Sequence, residues 1–107
     1  MGNFLIGMKN RPDALFAIAD SAAIGALKSF IRHKIKVPQE IAVIGFSDSK
    51  SCKIISPELS SVEQPGIKMG RISVRTIIEE IERPGKDLFS KTIVINTSLK
   101  IRASSLG

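Results

Sequence analysis

Tryptophan and tyrosine are absent from this 107-residue sequence, and cysteine and histidine occur once each. Cys52 therefore cannot close an internal disulfide and fits a reducing compartment. With His33 as the lone imidazole, neither a Cys/His metal cluster nor a nucleophilic triad with a histidine to spare can be assembled. No catalytic residue, metal site or cofactor is assigned. No apolar stretch approaches the ~18 residues of a bilayer span, and residues 1–7 lack the basic region and the length of a secretory leader. Aromatic residues are confined to 5 phenylalanines, which leaves an aliphatic core. Basic blocks are missing too. The 16 Lys and Arg outnumber the 10 Asp and Glu for a net charge of +6. They are dispersed, however, with 8 basic against 4 acidic side chains in residues 1–53 and 8 against 6 in residues 54–107. No aromatics sit between them to stack on bases, so the charge reads as a solvated surface rather than a nucleic-acid interface.

What remains is ordinary globular usage, 43% hydrophobic and 24% charged, in a length that holds one domain or part of one. The run Ala14–Ala19 follows Arg11-Pro12-Asp13 and is apolar without alternation, as in a parallel strand buried on both faces. Asp20-Ser21 offers a helix N-cap, and the periodicity predicts a helix from about Ser21 to Lys34, with Ala23, Ala26, Leu27, Phe30 and Ile31 on one side. After Val37-Pro38, residues 41–46 form a second buried-type strand, and Ser47-Asp48-Ser49 is the turn leaving it. Strand, helix and strand make a βαβ unit. A connector over 50–66 carries Pro57 and Pro65 and a short extended piece at Leu59–Val62. A second helix spans about Ile67 to Arg83, with the stripe Gly70, Val74, Ile77, Ile78 and Ile81, and Pro84-Gly85 stops it. The tail alternates from Ile93 to Arg102, which predicts one strand, or two, buried on one face. Helices are too few to cover both faces of such a sheet, so apolar surface is expected to meet another chain or another part of a larger protein.

Five stretches are recognisable as a set. They are Arg11–Leu27, Ile35–Phe46, Ser56–Pro65, Met69-Gly70-Arg71 and Arg102–Ser105. In this order and spacing they resemble the last third of the effector domain of lactose-repressor-type (LacI-type) transcriptional regulators, over residues 11 to 105. The resemblance implies an α/β chain that is part of a periplasmic-binding-protein-like doubly wound fold. Residues 11–60 would be the βαβ unit and connector of the C-terminal lobe, 61–85 a crossover and a helix of the N-terminal lobe, and 86–107 the terminal strand region. It implies a cytoplasmic, non-enzymatic regulator that forms a homodimer, binds a small-molecule effector (a sugar or related metabolite) and reaches operator DNA only through a helix-turn-helix headpiece that these residues do not resemble. No membrane partner is implied. The alternative is a fragment of a periplasmic sugar-binding transport protein, which shares the fold.

In that family effector contacts fall beyond the carboxyl ends of strands, where ligands of open α/β sheets bind. The matching positions are Ala19, Asp20, Ser47, Asp48 and Gln64. Sugar-binding members carry Asn at the first and Asp at the third, so Ala19 and Ser47 point away from bidentate recognition of vicinal hydroxyls. Asp20 has a helix N-cap as its competing role, Asp48 an Asx turn, and Gln64 a bond to crossover backbone. Ile24, Leu27, Lys28, Ile31, Ile54 and Ile55 match the family's C-lobe dimer surface. The alternative for these apolar residues is packing under their own sheet.

Overall fold

A computed structural model describes residues 2–83 and 91–106. The chain divides into two units, residues 1–64 with 98–107, and residues 65–97.

The first unit is built on a four-stranded sheet of β1 (Ala14–Phe16), β2 (Ala42–Phe46), β3 (Ser60–Glu63) and β4 (Ser98–Lys100), in that spatial order. β1, β2 and β3 run parallel, and β4 pairs antiparallel to β3. The unbroken apolar run gives a strand of only three residues, Ala14–Phe16, although Ala17 still donates to the Ile44 carbonyl at 2.9 Å.

Between β1 and β2 lies α2 (Asp20–Arg32), preceded in the chain by a short α1 (Gly2–Ile6). The predicted helical face of α2 packs as its spacing requires except at Ile31, which is 49% exposed. Ala23, Ala26, Leu27 and Phe30 are buried with Ile41, Val43, Cys52 and Leu59 in one aliphatic cluster. Its carboxyl end closes with Lys34 at φ 59, while the Lys34 and Ile35 amides donate to the carbonyls of Ile31 and Phe30 at 3.0 and 2.9 Å. This satisfies carbonyls that the last turn would otherwise leave without partners.

The register assigns the opposite sheet face. Phe16 pairs with Ile44, Phe46 with Val62, and Val62 with Leu99, so these side chains share the side away from α2. Phe16 and Leu99 are 57% and 52% exposed there, and the Phe16 and Phe46 rings meet edge to face at 6.4 Å.

The 102–106 segment closes this unit with hydroxyls. The Ser60 amide donates to Ser104 Oγ at 2.8 Å, which donates in turn to the Val43 carbonyl at 2.6 Å. Ser60 and Ser104 are fully buried, and such groups persist in an interior because every polar atom is matched.

The second unit holds α3 (Gly66–Glu82), close to the helix the periodicity predicts. None of its side chains is buried, and Val74, Ile78 and Ile81 are 57%, 46% and 70% exposed. Pro84-Gly85, expected to stop the helix, lie outside the described residues. The tail corrects the alternation reading. Residues 91–97 form no ladder, and β4 is exposed throughout rather than buried on one face. Its pairing partner is the edge-side polar half of β3, with Lys100 on Glu63 at 3.0 Å, so alternation here marks an edge strand and not a core one.

Candidate functional site

The carboxyl ends of β1 and β2 open into a cleft of about 450 Å³ whose lining includes Ala19, Asp20, Ile24, Phe46, Ser47 and Ser49. Ala19 occupies the N-cap position of α2 with extended backbone (φ −149, ψ 148) and no side-chain cap. The expected N-cap role of Asp20 is therefore corrected: Asp20 is the first helical residue, and its carboxylate turns inward instead of back onto its own helix.

Asp20 is 4% exposed and joins three elements. One oxygen accepts from the Ser61 hydroxyl of β3 at 2.6 Å, and the other from the Ser49 backbone amide at 2.7 Å. Burial on its own raises the pKa of this carboxyl. Hydrogen bonds from the Ser49 amide and the Ser61 hydroxyl, with Cys52 and the Ser49 hydroxyl, outweigh it and leave the carboxyl below its ordinary value. Gly45 makes this burial possible. A Cβ at that position would strike Asp20 Oδ1 and stand 3.1 Å from Leu59 Cδ2 and 3.2 Å from the Asp20 Cα.

The turn after β2 is strained. Ser47 and Asp48 take φ 108 and 50, a left-handed region that costs a residue with a Cβ of order 1–3 kcal/mol. Each amide of the turn is bound: Ser47 to the Val62 carbonyl at 2.9 Å, Asp48 to Ser61 Oγ at 3.0 Å, and Ser49 to Asp20. Ser61 Oγ thus accepts from Asp48 while donating to Asp20. Gln64 Nε2 donates to Ser47 Oγ at 3.0 Å, leaving the Ser47 hydroxyl proton free for another acceptor.

Asp48 Oδ1 lies 2.7 Å from Arg102 Nη1, with both side chains nine-tenths buried or nearly so. That nitrogen also donates to the Leu59 carbonyl at 2.8 Å, while Oδ1 receives no aligned hydrogen bond among the described residues. The pair is thus a charge contact, screened less than a surface one. Cys52 is fully buried, and burial raises its pKa, so it stays a neutral thiol behind the turn.

Of the residues singled out in the sequence, Ala19, Asp20 and Ser47 line the cleft, whereas Asp48 and Gln64 support the turn from behind it. Ser61 and Arg102, which hold the arrangement together, were visible only as letters within longer motifs. The interface group divides. Ile31 and Ile54 are 49% and 82% exposed and Lys28 is exposed, but Leu27 is fully buried in its own core and cannot face a partner. Ile24 and Ile55 are half-buried against that core. Among the described residues no His/Cys/Asp/Glu group could hold a metal ion, and no helix is long and apolar enough to cross a membrane.

A cleft at the carboxyl ends of parallel strands, floored by a helix N-terminus and a bound turn, is the place where open α/β sheets take their ligands, and it sets the chain in that class of fold. The comparisons narrow this class. The family model described as "Periplasmic binding protein-like domain" matches residues 4–105. The ribose operon repressor of Haemophilus influenzae is 28% identical over 100 residues, covering 94% of this chain and 30% of that protein. The lactose operon repressor of Rhizobium radiobacter is 32% identical over 101 residues, covering 94% of this chain and 87% of that protein. A LacI-family transcriptional regulator from Lactobacillus casei, solved with bound sucrose, superposes with a TM-score of 0.80 at 29% identity, covering 97% of this chain and 38% of that one. The chain belongs to the periplasmic-binding-protein-like domain family, in the branch formed by LacI-type transcriptional regulators.

Proposed function

We propose that this chain is the ligand-sensing and dimerisation portion of a LacI-type transcriptional regulator, with its effector in the cleft beyond β1 and β2. The observation that carries the reading is the cleft itself, where Ala19, Phe46 and Ser47 sit at strand ends on a turn whose amides are all tied inward. Repression is the named role of the ribose and lactose operon relatives, which favours a cytoplasmic regulator over a periplasmic transport protein.

The effector is a small molecule, a sugar or related metabolite, as in the relatives solved with sugars; the one carboxylate in the lining has both oxygens turned to protein donors. Ala19 and Ser47 offer a methyl and a single hydroxyl, so contacts to vicinal hydroxyls must come from elsewhere in the regulator. Effector binding would act by favouring whichever lobe arrangement it binds more tightly. In this reading residues 11–60 serve the C-terminal lobe, 61–85 the crossover and an N-terminal-lobe helix, and 86–107 the terminal strand region. Operator DNA would be read by a headpiece, not by these residues. Lys28, Ile31 and Ile54 supply the exposed part of a homodimer surface, with Ile24 and Ile55 at its edge.

The test is an amide-shift titration, with a panel of mono- and disaccharides and nucleosides, of the full regulator that carries this chain. Saturable shifts confined to residues 19–21 and 46–49 are the expected result. A panel that moves no resonance there, or moves them only together with the whole spectrum, rejects the cleft as an effector site.

A further inference from the structure

We infer that Asp20 and Ser61 act as a two-residue clamp that positions the ligand-facing turn Ser47–Ser49 in its left-handed conformation. This rests on the cleft being the effector site, and it assigns to Asp20 a different part from ligand contact or helix capping. Three observations converge. Both side chains are buried, at 4% and 0% exposure, where a polar group is kept only for the bonds it makes. Their bonds end on the backbone amides of two consecutive turn residues, Asp48 through Ser61 Oγ and Ser49 through Asp20 Oδ2. Those amides lie on either side of Asp48, where φ is 108 at Ser47 and 50 at Asp48; aspartate tolerates the second value, but the first is costly for a serine.

The donor and acceptor count explains why the residue is an acid. Ser49 N–H and Ser61 O–H both donate toward position 20, so both atoms there must accept. A carboxylate does so. An amide presents one acceptor and one donor: with its nitrogen toward Ser49 it sets a donor against a donor, and with its oxygen there it meets Ser61 only if that hydroxyl turns its proton away and accepts on its second lone pair. Either way the bond from Ser61 to position 20 is lost or reversed, and the bond to Ser49 loses its charge. The clamp also spans α2, the turn and β3, so the cleft wall is fastened at its amino-terminal helix and its neighbouring strand together. Gly45, with no Cβ, leaves the carboxylate its place.

Amide hydrogen exchange on the 107-residue chain tests the clamp, comparing wild type with Asp20→Asn and Ser61→Ala. The Asp48 and Ser49 amides should exchange about tenfold faster in Asp20→Asn, the loss expected when one charge-assisted hydrogen bond is removed. Ser61→Ala should speed Asp48 most. The amides of Ala17 and Val43, bonded to the carbonyls of Ile44 and Ser104, serve as the control for a general loss of structure. Equal acceleration at the controls, or wild-type exchange at Asp48 and Ser49, overturns the inference. Should Asp20→Asn not fold, Ser61→Ala still decides the matter. These readouts need no effector, so a regulator that binds nothing in the panel would sink the effector reading while the exchange result stands.

Discussion

Asp20 makes the stability of the first unit depend on pH in a definite direction. Its carboxyl is lowered below the ordinary value of 3.8 by its bonds to Ser49 and Ser61, net of burial. A depressed folded-state pKa contributes stability that is complete above the unfolded value and is lost as pH falls through the folded one. Urea midpoints should therefore be flat from pH 7 to about pH 5 for this group and decline below about pH 4. In Asp20→Asn the part of the decline owed to this residue disappears and the neutral-pH midpoint is already lower. A variant whose acid limb matches the wild type would show that position 20 does not carry the effect. Neighbouring Asp48 is the other carboxyl facing this region, from the turn, and its pairing with Arg102 leaves a separate charge contact in both proteins.

The elements separate residues that the sequence could only group. Leu27 and Ile31 share one helical turn of α2, yet the first is fully buried and the second half exposed. Leu27→Ala should cost about 2–5 kcal/mol in chemical denaturation, as expected for a truncated core leucine. Ile54→Ala, at 82% exposure, should stay within about 0.5 kcal/mol for the monomer and appear instead as a shift toward monomer in sedimentation velocity. A large intrinsic destabilisation by Ile54→Ala would contradict its placement on the surface. The same contrast explains what was legible. Unbroken apolar runs and the helical period located β1, α2, β2 and α3 within a few residues, because both patterns follow from the geometry of one element whether or not its apolar face is covered. The role of Asp20 was not legible, since a helix N-cap and an inward clamp place the same residue type at the same position. Only the partners on Ser49 and Ser61, distant in sequence, distinguish them. The tail misled for a related reason: alternation says which residues share a face, not whether anything lies against that face.

Across the whole molecule the two units differ in how their side chains are used. The first holds every member of the buried cluster, while α3 in the second has no buried side chain. A helix of α3's length without a buried face is marginal in water, and local opening is cheapest where packing is least. Amide exchange should therefore be fast along Gly66–Glu82 and slow at Val43 and Ala17. Protection of α3 equal to that of β2 would show that its apolar stripe is covered in solution. The polar residues are distributed just as unevenly. Serines 60, 61 and 104 lie at zero exposure inside the first unit, each bonded, so the family motifs around Ser60 and Arg102 were carrying core architecture as much as site chemistry.

The bare backbone at Gly45 has a consequence for how this sequence can drift. Because an added methyl there would strike the Asp20 carboxylate, residue 45 cannot enlarge while the acid keeps its place. A descendant that gains a side chain at residue 45 must first shift or lose that acid, and with it the tether on the loop. The dependence runs one way, since a glycine sets no such limit on residue 20.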